Sequence, residues 1–166
     1  MITITRIFEF DSAHRILNHE SRCRHIHGHR YKAEVTVTAD GLDTLGRVID
    51  FSVLKEKVGN WIDEHWDHNV ILHKDDPLLM LNVVGQVPAK ELHPRTYEIQ
   101  FVDMPDVFMG KEPYILSGNP TAENMAWELF HIAFSLMVQY HIKVVHIRLY
   151  ETPNCWADVE LFRSTS

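Results

Sequence analysis

Residues 2–11, ITITRIFEFD, alternate between apolar and polar positions, with Ile2 and Ile4, then Phe8 and Phe10, on shared faces. Alternation with a period of two marks a half-buried strand. Residues 29–39, HRYKAEVTVTA, repeat the pattern and are rich in β-formers. The residues between these two segments read as a loop, and DGLDTLGRV after them is dense in turn formers. At Asp50 the period changes. Leu54, Val58, Trp61 and Ile62 recur at helical spacing, Asp50 or Ser52 is suited to cap the start, and the helix is expected to end near Trp66.

The segment 69–119 carries weaker signals: VILHKDDPLLMLNVVGQVP suggests a short extended piece and then loop, and YEIQFVD a strand. A second helix begins at Thr121. Pro120 precedes this N-cap residue, Glu123 sits in the first turn, and Met125, Leu129, Ile132, Ala133 and Leu136 form an apolar stripe suited to core packing. Two final strands, KVVHIRLYE and CWADVELF, flank a TPN turn. The order ββ–α–insertion–α–ββ predicts one α+β domain over 1–166, with both helices on one face of an antiparallel sheet. Its exposed sheet edges favour self-association.

Composition narrows the function classes. A 45% hydrophobic and 23% charged chain is ordinary for a globular protein. There is no apolar run long enough to span a bilayer and no signal-peptide layout at the start. Two cysteines, Cys23 and Cys155, make no disulfide framework, so a reduced, cytoplasmic protein is expected. The net charge of −7 speaks against general nucleic-acid or membrane binding. Residues 12–33 depart from that balance: Arg15, Arg22, Arg24, Arg30 and Lys32 face only Glu20, a local +4. Such a segment suits a small anionic ligand or a solvated basic loop.

The basic segment contains CRHIHGH, residues 23–29. In a strand, His27 and His29 share a face and can converge on one ion. His14, just past the first strand, is placed to join them if the first two strands pair. Three histidines with an open fourth position are a catalytic zinc arrangement. With 12 histidines in the chain, ordinary surface histidines are the alternative. Cys23 is either a fourth ligand or a thiol kept off the metal as base or nucleophile. Asp67 and His68 follow the first helix, as an acid–base pair or as a capping aspartate beside a surface histidine. Glu151, at a strand end, can accept paired N–H donors from a guanidine-like edge of a heterocycle.

In chain order, FDSAHR, C-x-x-x-H-G-H, the helix closing on DH, the PTAEN helix start and the YET strand end resemble the 6-pyruvoyl-tetrahydropterin synthase and 6-carboxytetrahydropterin synthase family. The resemblance implies the tunnelling fold, ββααββ, in trimeric barrels stacked as hexamers with active sites at subunit interfaces. It implies a homo-oligomer acting on a pterin triphosphate, 7,8-dihydroneopterin triphosphate, with Zn2+ held by His14, His27 and His29. Cys23 looks like the catalytic proton acceptor, and Asp67 and His68 like the relay pair, contributed from a neighbouring subunit. Glu151 looks like the carboxylate gripping the pterin edge, with Thr121 and Glu123 lining the pocket. Arg15, Arg24 and Lys32 are candidates for the triphosphate on charge alone. Three residues, Arg24, His25 and Ile26, separate the cysteine from HGH. That spacing resembles the bacterial 6-carboxytetrahydropterin synthases, which release acetaldehyde and serve queuosine and other deazapurines. An insertion, roughly 78–117, is longer than in compact family members.

Overall fold

A computed structural model describes residues 1–81 and 111–161. Strand β1, Thr3–His14, pairs antiparallel with β2, His27–Thr38, from Thr3 opposite Thr38 to His14 opposite His27. Strand β5, Lys143–Thr152, continues the antiparallel sheet on the far side of β2, and β6, Cys155–Glu160, on the far side of β5. These are the four strands that the alternation predicts. The sheet is larger and mixed: β3, Asn69–His73, lies parallel to β1, and β4, Tyr114–Leu116, parallel to β3. The strand order is β4-β3-β1-β2-β5-β6.

The parallel strands follow from the path of the first helix. It carries the chain from the Thr38 end of β2 back to the Ser12 end of β1, so β3 enters beside Ser12 running in the direction of β1. A parallel pair needs such a crossover. Alternation cannot reveal strands of five and three residues, one of them an unbroken apolar run. The β4 strand falls within the expected insertion and extends the sheet. The strand expected at YEIQFVD lies outside the described residues.

Asp50 caps the first helix, its carboxylate accepting the Ser52 N–H. The helix is α over Phe51–Leu54, π over Lys55–Gly59 and α over Asn60–His65. Leu54, Val58, Ile62 and Trp66 are all buried at steps of four. In a regular α-helix a step of four drifts about 40° around the axis. The wider π turn takes back part of that drift and keeps the four side chains on the sheet. Gly59 permits the approach: a Cβ there would sit 2.9 Å from a ring carbon of Phe8.

Thr121 caps the long helix, Ala122–Met137, and accepts the Asn124 N–H. Its buried face is Met125, Ala126, Leu129, Phe130, Ala133 and Met137. They close a core with Phe10, Tyr31, Val35, Val37, Ile147 and Leu149 from the sheet. Ile132 and Leu136 are only half-buried, at the edge of the stripe. Among the described residues no helix is long and apolar enough to cross a membrane.

Candidate active site

The register of β1 and β2 builds the site. His14, the last residue of β1, faces His27, the first of β2, and His29 projects to the same side two residues on. The three histidines offer ligand atoms that all lie within 4.8 Å of one another. His14 is 1% exposed, so it belongs to the core rather than the surface. Gly28, between the two β2 histidines, keeps the strands close: a Cβ there would come within 3.3 Å of the Ser12 carbonyl oxygen.

Two carbonyls fix the rings. His14 Nδ1 donates to the Pro120 carbonyl at 2.7 Å, and His27 Nδ1 to the His25 carbonyl at 2.8 Å. A carbonyl only accepts, so each Nδ1 carries the proton and each neutral ring presents a bare Nε2 lone pair. Those two Nε2 atoms stand 3.1 Å apart. The Nε2 of His29 is buried and without a hydrogen-bond partner. Two lone pairs facing each other beside an orphaned ring nitrogen call for a cation, and the three nitrogens fit a metal ion. Burial lowers the pKa of His14, opposed by the Pro120 carbonyl and the Glu151 charge. Burial lowers that of His29 as well, against the Glu151 charge. Lowered values favour the neutral imidazole, the form that binds metal.

Glu151 belongs to this site, its Oε1 3.7 Å from His29 Nε2. Tyr31, stacked on Phe10, sets its ring edge-on to His14 and His29. Burial, with the Glu151 charge, raises its pKa, so the phenol stays protonated. Thr121 follows Pro120, whose carbonyl holds His14; Glu123 is exposed in the first turn of the long helix. Cys23 lies half-buried in a single 3₁₀ turn, Arg22–Arg24. It is absent from the group that closes around the three histidines, which disfavours a four-ligand site.

Asp67 and His68 form a separate group with Asp11. Asp67 accepts the Asp11 N–H at 2.9 Å and the His68 Nδ1–H at 2.7 Å. The His68 N–H donates to the Asp11 carbonyl at 2.7 Å. Burial pushes the Asp67 carboxyl upward, but the Asp11 amide, His68 and Lys111 outweigh it and hold the pKa low. The result is an oriented carboxylate–imidazole pair. His68 adopts the left-handed conformation, φ 52°, which a non-glycine residue rarely takes without a local reason.

The chain from residue 3 to residue 161 matches the model of the family described as 6-pyruvoyl tetrahydropterin synthase. It belongs to that family. The chain is 39% identical to the 6-carboxy-5,6,7,8-tetrahydropterin synthase of Rickettsia conorii, over 96% of this chain and all of that protein. It is 32% identical to a putative 6-carboxy-5,6,7,8-tetrahydropterin synthase of Pyrococcus horikoshii, over 91% of this chain and 85% of that one. The fold is similar to that of an uncharacterised Wolinella succinogenes protein, with a TM-score of 0.75, 26% identity and coverage of 96% and 97% of the two chains. It is also similar to Caenorhabditis elegans 6-pyruvoyl tetrahydropterin synthase, with a TM-score of 0.59, 18% identity and coverage of 97% and 96%. The tunnelling fold expected from the sequence is thus present, with its two added parallel strands.

Within this family member some charged residues are already engaged. Arg15 makes a two-point ion pair with Asp76, which is 2% exposed, so it is not free for a phosphate. Lys32 pairs with Glu34 and lies over the Tyr150 ring, on the sheet face opposite Tyr31. Arg24 lies on the Cys23 turn, its Nε 3.4 Å from His25 Nε2. The carbonyls of Pro120 and His25, and the Asp76 partner of Arg15, are contributions that residue spacing did not reveal.

Proposed function

We propose that the protein converts 7,8-dihydroneopterin triphosphate to 6-carboxy-5,6,7,8-tetrahydropterin, releasing acetaldehyde and triphosphate, with Zn2+ held by His14, His27 and His29. The observation that carries this reading is the pair of bare Nε2 lone pairs 3.1 Å apart, their tautomers set by two carbonyls. Full-length similarity to proteins named for that product supports the choice of substrate. When bound, zinc supplies a Lewis acid that polarises side-chain oxygens of the substrate and acidifies the adjoining C–H bonds.

The chain's own groups do the rest. Glu151 accepts the paired N–H donors of the pterin ring, with Thr121 and Glu123 at the pocket wall. Cys23 takes the proton from the substrate side chain. His68, oriented by Asp67, returns a proton, and this pair comes from a neighbouring subunit in a homo-oligomer. Arg24 is suited to the triphosphate. A four-ligand structural zinc site would need the Cys23 thiol within the histidine group, an arrangement with less support.

Incubating the zinc-loaded protein with 7,8-dihydroneopterin triphosphate and identifying the products by mass spectrometry tests the proposal. 6-Carboxytetrahydropterin with acetaldehyde is the expected pair. A 6-pyruvoyl product would overturn the product assignment, and unchanged but bound substrate would overturn the catalytic role of Cys23.

A further inference from the structure

We propose that Asn119 is a positioning residue that fixes the Cys23 turn against the three-histidine cradle. Its carboxamide grips one backbone unit at two points. Leu17 N–H donates to Asn119 Oδ1 at 2.8 Å, and Asn119 Nδ2 donates to the Leu17 carbonyl at 3.1 Å. An amide side chain that both accepts and donates to one residue sets its orientation as well as its distance. The adjacent residue Ile16 donates its N–H to the Cys23 carbonyl at 2.8 Å. The turn that carries the thiol is therefore tied through two hydrogen-bonded steps to a side chain far along the sequence.

Asn119 is itself held. Its carbonyl accepts from Asn124 Nδ2 and from the Thr121 N–H, each at 2.8 Å. Packing there is tight, since a Cβ at Gly118 would meet Asn124 Nδ2 at 3.0 Å. The next residue, Pro120, turns its carbonyl onto His14 Nδ1. One dipeptide at the start of the long helix thus holds a cradle histidine with its backbone and the Cys23 turn with its side chain. The bland alternative is a loop staple that contributes stability only. The role assigned here rests on the reading of Cys23 as the proton acceptor.

The test uses Asn119→Ala and Asn119→Asp in the full, zinc-loaded chain. The aspartate keeps an acceptor for the Leu17 N–H and loses the donor to the Leu17 carbonyl. Four quantities are read: bound zinc, amide hydrogen exchange over 15–24, the iodoacetamide alkylation rate of Cys23 relative to Cys155, and kcat with KM. Cys155, exposed as the first residue of β6 and outside the Asn119–Leu17–Cys23 hydrogen-bonded chain, is the internal reference. In Asn119→Ala, zinc is retained, exchange at Leu17 rises and the Cys23-to-Cys155 ratio rises several-fold. Turnover falls about 10- to 100-fold, as for a misplaced reacting group, while KM moves less. Asn119→Asp falls between this variant and the unaltered protein. Unchanged exchange, alkylation ratio and kcat in both variants would overturn the proposal, and Asn119→Asp decides alone if the alanine variant does not fold. Should Cys23→Ser turn over at the unaltered rate, the catalytic reading of Cys23 fails. The alkylation ratio and the exchange would still decide the role of Asn119 as a clamp.

Discussion

His14 and His68 are both tied to β1, His14 as its last residue and His68 through the Asp11 carbonyl, yet they meet solvent in opposite ways. His14 is 1% exposed, its ring locked by Pro120 and placed by a cross-strand register. The side chain of His68 is 75% exposed, on a turn residue of left-handed conformation. The histidine cradle is assembled within one chain: three converging histidines, two carbonyls that set tautomers, and Glu151 beside them. The Asp67–His68 pair is equally well oriented internally but faces open solvent. An oriented, solvent-facing carboxylate–imidazole pair is what the proposed site, shared between subunits, would leave on each of them.

Breaking the cradle is expected to have the largest effect. His14→Ala removes a buried ring from the proposed metal site and leaves the Pro120 carbonyl without its donor. Turnover should fall by about 10³-fold or more, corresponding to the several kcal/mol a bound metal contributes to charge stabilisation. Bound zinc, measured by atomic emission after gel filtration, should fall with it. His68→Asn should instead keep full zinc while losing turnover by about 10²-fold, the lower range for a general acid. Equal zinc loss in both variants would erase the distinction between the two groups.

This contrast also marks what the sequence made legible. The β1–β2 pairing and the i, i+2 histidines are visible because strand alternation dictates which side chains share a face. The N-cap Thr121 is legible for a similarly local reason, and Asp50 as one of two candidates beside Ser52. Nothing local reports that Pro120 and His25 lend their carbonyls, because every residue has one and only the folded path aims it. Nor could charge reveal that Arg15 is taken by Asp76, 61 positions away in sequence. The short extended piece expected at VILH is β3, though nothing local showed that it pairs parallel to β1; β4 escaped because three residues are too few for a period to show.

A mixing experiment sharpens the subunit question. Cys23→Ala and His68→Asn proteins, each nearly inactive, would be dissociated, combined in equal amounts and reassembled. If Cys23 and His68 of one site come from different chains, random assortment in a symmetric ring restores about a quarter of the interfaces. If they act within one chain, mixing restores none, because every chain carries one lesion. Activity rising on mixing therefore supports the shared site, and activity remaining at the level of the parents refutes it.

The smallest expected effect is on stability, and it follows from burial of the cradle. His14 and His29 have pKa values lowered from 6.5, chiefly by burial, so the unfolded chain binds protons that the metal-free fold excludes. Where the unfolded state holds more protons, stability rises with pH. The histidine contribution is therefore present above 6.5 and lost as pH falls through the lowered values. Asp67 and Asp76 are also lowered, but from 3.8, so their contribution fades only in a more acidic window. Urea denaturation of the metal-free protein should accordingly show a midpoint that drops between about pH 7.5 and about pH 5.5, the range where histidines titrate. Saturating zinc should raise the midpoint most at the upper end, where protons compete least for the ring nitrogens. His14→Ala, which removes one of the two rings whose pKa burial lowers, should flatten this slope. A slope that survived His14→Ala unchanged would remove the cradle as its source.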